Sequence, residues 1–166
     1  MRREVNARFA NGVVSAALTI FFLAHGILGA AALVFGFFGS FAWVVWVGVP
    51  LIAVHVVFSI VTSRNQLNDK TRPPSARKKR HLALKWATGM LLAACATAHV
   101  ICKDAVSGRI AIIALTVTLT VHLCVGAKSL LKDLDIDRKF KMAFRLVVCV
   151  FAAVFAVAVI LSAFLR

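Results

Sequence analysis

The sequence predicts an all-α integral membrane bundle of five transmembrane helices, on three observations. The 166 residues are 61% hydrophobic and only 16% charged, where soluble domains carry about a quarter charged residues. The apolar residues fall in blocks of about 20, the length that crosses a bilayer as a helix. These blocks are hydrophobic all round, without the amphipathic stripe of a soluble helical bundle. The net charge of +14 is no sign of nucleic-acid binding. The cations lie between the apolar blocks, and no aromatic residues for base stacking are interleaved with them.

The first apolar run follows Met1-Arg2-Arg3-Glu4-Val5-Asn6 and is too long for a signal peptide, so it reads as a retained helix, about 12–36. A glycine-rich turn, Gly36 to Ser40, separates it from helix two, about 41–63. Pro50 lies inside helix two, where a membrane helix tolerates a kink. Trp43 and Trp46 near its start suit an interfacial aromatic belt. A polar loop over 64–81, with Pro73 and Pro74, ends in Arg77-Lys78-Lys79-Arg80. Helix three follows at about 82–102, with Trp86 near its entry, and helix four at about 110–127. A charged connector from Lys128 to Lys141 leads to helix five, about 142–165. The cysteines, Cys95, Cys102, Cys124 and Cys149, show no CxxC or CxxCH spacing. They are expected to serve as small buried hydrophobes rather than zinc, redox or c-type haem ligands.

Lys and Arg set the expected topology. Seventeen fall at the N-terminus, in the 64–81 loop with Lys85, and in the 128–141 connector with Arg145; only Lys103, Arg109 and Arg166 fall on the other side. The positive-inside rule then puts the N-terminus in the cytoplasm and the C-terminus outside.

Four histidines, His25, His55, His99 and His122, stand one on each of the first four apolar segments, with no charged residue within three positions. A titratable side chain in hydrocarbon is a functional-site hypothesis by default. At ~1.5 Å rise per residue, His55 and His122 lie roughly 13 and 9 Å from the cytoplasmic ends of their helices, and His25 and His99 roughly 25 and 28 Å. The four sort into two levels roughly 14 Å apart. Two level pairs suit bis-histidine ligation of two b-type haems, which leaves no open position on the iron. Zinc is disfavoured because no helix carries two ligands and no carboxylate is expected at depth. His81, beside a basic run, is expected to be solvated.

Gly29 and Gly126 each follow a histidine by four residues, on the same helix face, and would clear space for a planar macrocycle. Arg64 and Lys128, with Lys85 in reserve, are the expected cations for haem propionates. Thr118 is the expected acceptor for the ring nitrogen of His122 that faces away from iron.

The Trp86-Ala87-Thr88-Gly89 stretch with His99 ten residues after Gly89, His122 with Val125 and Gly126 behind it, and His55 followed by Phe58 together resemble the dihaem cytochrome b membrane subunit of fumarate reductases and succinate dehydrogenases. That family has five spans, with one haem-ligating histidine on each of the first four. The resemblance implies a distal haem on His25 and His99 and a proximal haem on His55 and His122. It also implies an iron–sulfur subunit and a flavoprotein subunit on the cytoplasmic face, and location in a bacterial cytoplasmic membrane. Menaquinol or another quinone would react on the outer side, near Trp43, Trp46 and Lys103. Some members carry a glutamate two residues before the fourth-span histidine; here Thr120 stands there. The alternatives are a haem b subunit of another membrane oxidoreductase, such as a hydrogenase or formate dehydrogenase, and a small histidine-relay transporter or channel.

Overall fold

Each apolar block forms one long helix, because a backbone in hydrocarbon has to satisfy its hydrogen bonds within the segment. In the computed structural model, which describes residues 2–35, 42–70, 73–102, 105–137 and 139–164, the helices are α1 (Arg2–Phe35), α2 (Ala42–Leu67), α3 (Ala76–Ile101), α4 (Ala105–Asp133) and α5 (Phe140–Phe164). All five are long and apolar enough to cross a membrane, and the described residues contain no strand. The architecture is that of a multi-pass membrane protein. The expected turn at Gly36–Ser40 and the candidate Lys103 lie outside the described residues.

The helices run past the expected boundaries at their charged ends. α1 begins at Arg2 and α3 at Ala76, where Ser75 caps α3 by accepting from the Lys78 N–H at 3.3 Å. α4 continues through Lys128 to Asp133, so most of the expected connector is helix. Hydropathy marks where hydrocarbon ends, whereas the helix continues until its backbone is capped. For α4 the cap is a left-handed residue, Asp135 at φ 57°. Behind it Ile136 N–H donates to Leu131 O at 2.7 Å and Asp135 N–H to Lys132 O at 3.3 Å, the paired bonds of a Schellman end. Pro50 sits inside α2 without ending it.

The helices form two antiparallel pairs, α1 with α2 and α3 with α4, joined along an α1–α4 seam that α5 covers from behind. Among the described residues α2 packs closely on α1 alone and α3 on α4 alone, and the two outer helices are bridged by Trp86, which donates to Ser63 Oγ. The seam is tight where a glycine permits it. A Cβ on Gly12 of α1 would lie 3.1 Å from the Asp133 Cβ and 3.2 Å from its carbonyl carbon. Buried residues are few and mostly small, with Ala111, Ala127, Leu131, Val148 and Val159 on the inner faces of α4 and α5. Large apolar side chains such as Ile20, Trp46, Leu91, Ile110 and Val154 are exposed on the outside, as a lipid-solvated bundle requires. The cysteines depart from expectation: Cys149 is exposed and the other three are half-buried, so none is a core residue.

Candidate functional site

Contacts between helices align their ends and set the level of each histidine. Gly12 meets Asp133, Trp86 Nε1 donates to Ser63 Oγ at 3.2 Å, and Lys85 Nζ donates to Ser129 Oγ at 3.0 Å. The start of α1, the end of α2, the start of α3 and the end of α4 therefore share one end of the bundle, which carries Arg8, Arg64, the 77–80 run, Lys128 and Lys132. The start of α5 joins them, with Arg145 donating twice to the Cys124 carbonyl, at 2.9 and 3.2 Å.

His55 on α2 meets Ser15 on α1, Nδ1 to Oγ 3.1 Å. His122 on α4 meets Thr88 on α3, Nδ1 to Oγ1 3.0 Å. Both hydroxyl hydrogens are already committed to backbone: Ser15 donates to Asn11 O at 2.7 Å, and Thr88 to Leu84 O at 2.9 Å and Lys85 O at 3.1 Å. Each hydroxyl can then only accept, so each imidazole carries its hydrogen on Nδ1 and leaves a lone pair on Nε2; that of His55 faces Ser59 Oγ at 3.5 Å, whose hydrogen goes to Asn11 Oδ1. This is how a metal-binding imidazole is held in position, its far nitrogen donating to a fixed acceptor. The acceptor for His122 is thus Thr88 from the facing helix. Thr118, the expected one, instead donates to Ala114 O and Leu115 O on its own helix, because its hydroxyl folds back on the preceding turn, as membrane serines and threonines commonly do.

His55 and His122 lie within electrostatic range of one another, and so do His25 and His99. Each pair joins diagonally opposed helices, α2 with α4 and α1 with α3. Ser15 precedes His25 by ten residues and Thr88 precedes His99 by eleven, so the two levels lie roughly 15 Å apart along α1 and roughly 16 Å along α3. Among the described residues no three or more of His, Cys, Asp and Glu gather as a metal cluster; these histidines come in twos.

The surroundings leave room. Gly29 and Gly126 are half-buried, yet a Cβ on either would have no atom within 4 Å. Gly89, next to Thr88, lies flat against the His122 ring, where a Cβ would be 3.3 Å from Cε1. Of the candidate cations, Arg64 and Lys128 are exposed, while Lys85 turns inward to Ser129. His81 is half-buried at the basic end, near Lys85, Lys128 and Lys141. Trp43 and Trp46 lie exposed near the other end of the bundle, Trp43 edge-on to Phe21 at 6.4 Å between ring centres.

Sequence reasoning missed Ser15, Thr88, Asn11 and Asp133. Asn11 is buried in α1, its Oδ1 accepting from Ser59 Oγ at 3.3 Å and its side chain beside Asp133 of α4. Asp133, expected in the connector between helices four and five, is the last residue of α4 and packs on α1. The available signal was a polar residue inside an apolar span one helix away from a histidine at the same depth; Thr88 even lies within the Trp86–Gly89 stretch.

No family model, curated protein or solved structure matches this chain.

Proposed function

We propose that the chain is a dihaem cytochrome b membrane subunit. It carries electrons between a quinone and a soluble flavin- and iron–sulfur-containing enzyme docked on its basic end, of the fumarate reductase or succinate dehydrogenase type. The observation that carries this reading is the pair His55 and His122. They stand on diagonal helices, each with its Nδ1 hydrogen donated to a hydroxyl of a third and a fourth helix and each with a lone pair left on Nε2. A structural histidine needs one partner, and an interhelical hydrogen bond in a membrane contributes only about 0.6 kcal/mol on average. Two imidazoles set in the same tautomer at the same level suit two axial ligands of one metal centre.

The residues present fit haem. The loose backbone packing between α2 and α3 and the open space at Gly29 and Gly126 suit a flat macrocycle, and Lys85 is an inward cation for a propionate. Haem, when bound, would supply a one-electron couple, and two neutral imidazoles holding it would leave no open position for O₂. His55 and His122 would hold the proximal group and His25 and His99 the distal one. The positive-inside rule turns the basic end to the cytoplasm, where its cations suit an acidic partner surface. The succinate/fumarate assignment rests on the Thr88-Gly89 and His122-to-Gly126 resemblance.

The test is a reduced-minus-oxidised spectrum and a haem assay on the purified chain. A b-type spectrum with two haems per chain is expected. A protein with no haem absorbance would overturn this reading and leave the histidine-relay alternative. Co-purification of a flavin- and iron–sulfur-containing partner separates the complex II type from other haem b oxidoreductases.

A further inference from the structure

Between α4 and α5 runs a groove of about 190 Å³, partly open at the surface of the bundle. It is lined by Ile113, Val117 and Val121 of α4 and by Ala152, Ala156 and Val159 of α5. Small-molecule pockets begin at roughly 300 Å³, so this one admits a slender chain rather than a ring system. Thr116 and Thr120 also line it, but their hydroxyls donate to Ile112 O and Thr116 O, each at 2.8 Å, folding back on their own helix. No side-chain hydrogen-bond donor is left for an occupant, and the groove suits hydrocarbon. The helix stripes that form it end in cations. On α4, Lys128 follows Val121 by seven residues and Val117 by eleven; on α5, Lys141 precedes Ala152 by eleven and Val159 by eighteen. These spacings are close to whole turns of a helix with about 3.6 residues per turn, so each lysine stands on the groove side of its own helix. Between the lysines and the groove, Arg145 ties α5 to α4 through the Cys124 carbonyl, at 2.9 and 3.2 Å. His81 of α3 lies within electrostatic range of both lysines, and the charged groups that act on it, Lys85, Lys128 and Lys141, are all cations.

We propose that this crevice holds one anionic phospholipid of the leaflet at the basic end. Its phosphodiester sits on Lys128 and Lys141, and one acyl chain lies along the α4–α5 groove. The dimensions agree. The groove begins roughly 10 Å from Lys128 along α4 and roughly 16 Å from Lys141 along α5, and it ends roughly 22 and 27 Å away. One leaflet offers a headgroup layer of about 6 Å and about 15 Å of hydrocarbon, which carries a chain hung from the lysines into the groove. A zwitterionic headgroup brings a cation of its own, so a pair of lysines favours a lipid without one. Lys128 is exposed and is thereby assigned to the lipid, while the inward Lys85 stays with the bundle interior. The site does not depend on haem.

The test is native mass spectrometry of the full-length chain in mild detergent, with phosphatidylglycerol and phosphatidylethanolamine of the same acyl chains added in turn. One phosphatidylglycerol per chain should be retained, and phosphatidylethanolamine should leave first. Lys128→Gln combined with Lys141→Gln should weaken phosphatidylglycerol binding about 30-fold, or about 5-fold for each interfacial cation at ~1 kcal/mol. Lys70→Gln combined with Lys79→Gln removes the same charge from the basic end away from the groove and should leave binding unchanged. A phosphatidylglycerol with a photoreactive diazirine near the end of one acyl chain should label the segments around Val117–Val121 and Ala152–Ala156 of the unaltered chain; this readout needs no variant to fold. Equal retention of the two lipids, equal loss from both double variants, or label spread over all five helices would overturn the proposal. So would a quinone or a helix of another subunit found in the groove.

Discussion

Thr88 of α3 and His122 of α4 are joined at 3.0 Å, and the threonine hydrogen is spent on its own helix, so the histidine is the donor. Ser15 and His55 repeat the arrangement on α1 and α2 at 3.1 Å. α1 and α3, which carry His25 and His99, thus also carry the hydroxyls that orient the other two histidines. Thr88→Val keeps the shape and removes the acceptor, and Ser15→Ala does the same with a smaller side chain. Each should weaken haem retention at the His55–His122 site by roughly 10- to 100-fold, the usual effect of losing an outer partner of a metal-bound histidine. The His25–His99 site should keep its occupancy. Haem titration of the variants, with thermal unfolding as a folding control, measures both.

On the dihaem reading, removing a histidine from one level should leave the other level loaded. His55→Ala and His122→Ala should each give one haem per chain with the same remaining spectrum and potential. His25→Ala and His99→Ala should give the complementary one. Potentiometric titration of the four variants decides this; simultaneous loss of both haems from every variant would count against the two-level pairing.

Gly126 has open space in front of it, with no atom within 4 Å of a Cβ. Gly126→Ala should therefore be neutral or stabilise α4 by about 0.5–1 kcal/mol, the usual gain from replacing a mid-helix glycine. Gly126→Leu should still fold but lose haem from the His55–His122 site, because its side chain would occupy the space assigned to the macrocycle. Gly29→Leu should do so for the other site. Unfolding curves alongside haem content separate a steric block from misfolding.

Gly12 is the opposite case, since a side chain there meets the backbone at Asp133, 3.2 Å away. Gly12→Leu should force α1 and α4 apart and destabilise the bundle by about 1–3 kcal/mol, the range for overpacking. Thermal unfolding in one detergent or nanodisc composition checks it.

Much of this molecule is legible along one dimension. The number of spans follows from composition and block length, because hydrocarbon thickness selects about 20 apolar residues per crossing. The gathering of charge at one end follows from chain order, because consecutive helices reverse direction. The two histidine levels follow from helix rise, which turns residue number into depth. Helix ends were harder to place: α4 runs on to Asp133 because a capping turn at Asp135, and not the edge of the apolar block, stops it.

Only the tertiary structure decided which groups at one depth meet. Depth puts Thr88 and Thr118 within roughly 3 and 6 Å of the His122 level, but the direction in which a side chain leaves its helix, and the helix it faces, selected Thr88. The same packing brought Asn11 between Ser59 and Asp133, through a seam that Gly12 allows to close. Composition and helix rise carry depth, whereas partners around the helix axis depend on how α1 and α4 pack, which no single segment encodes.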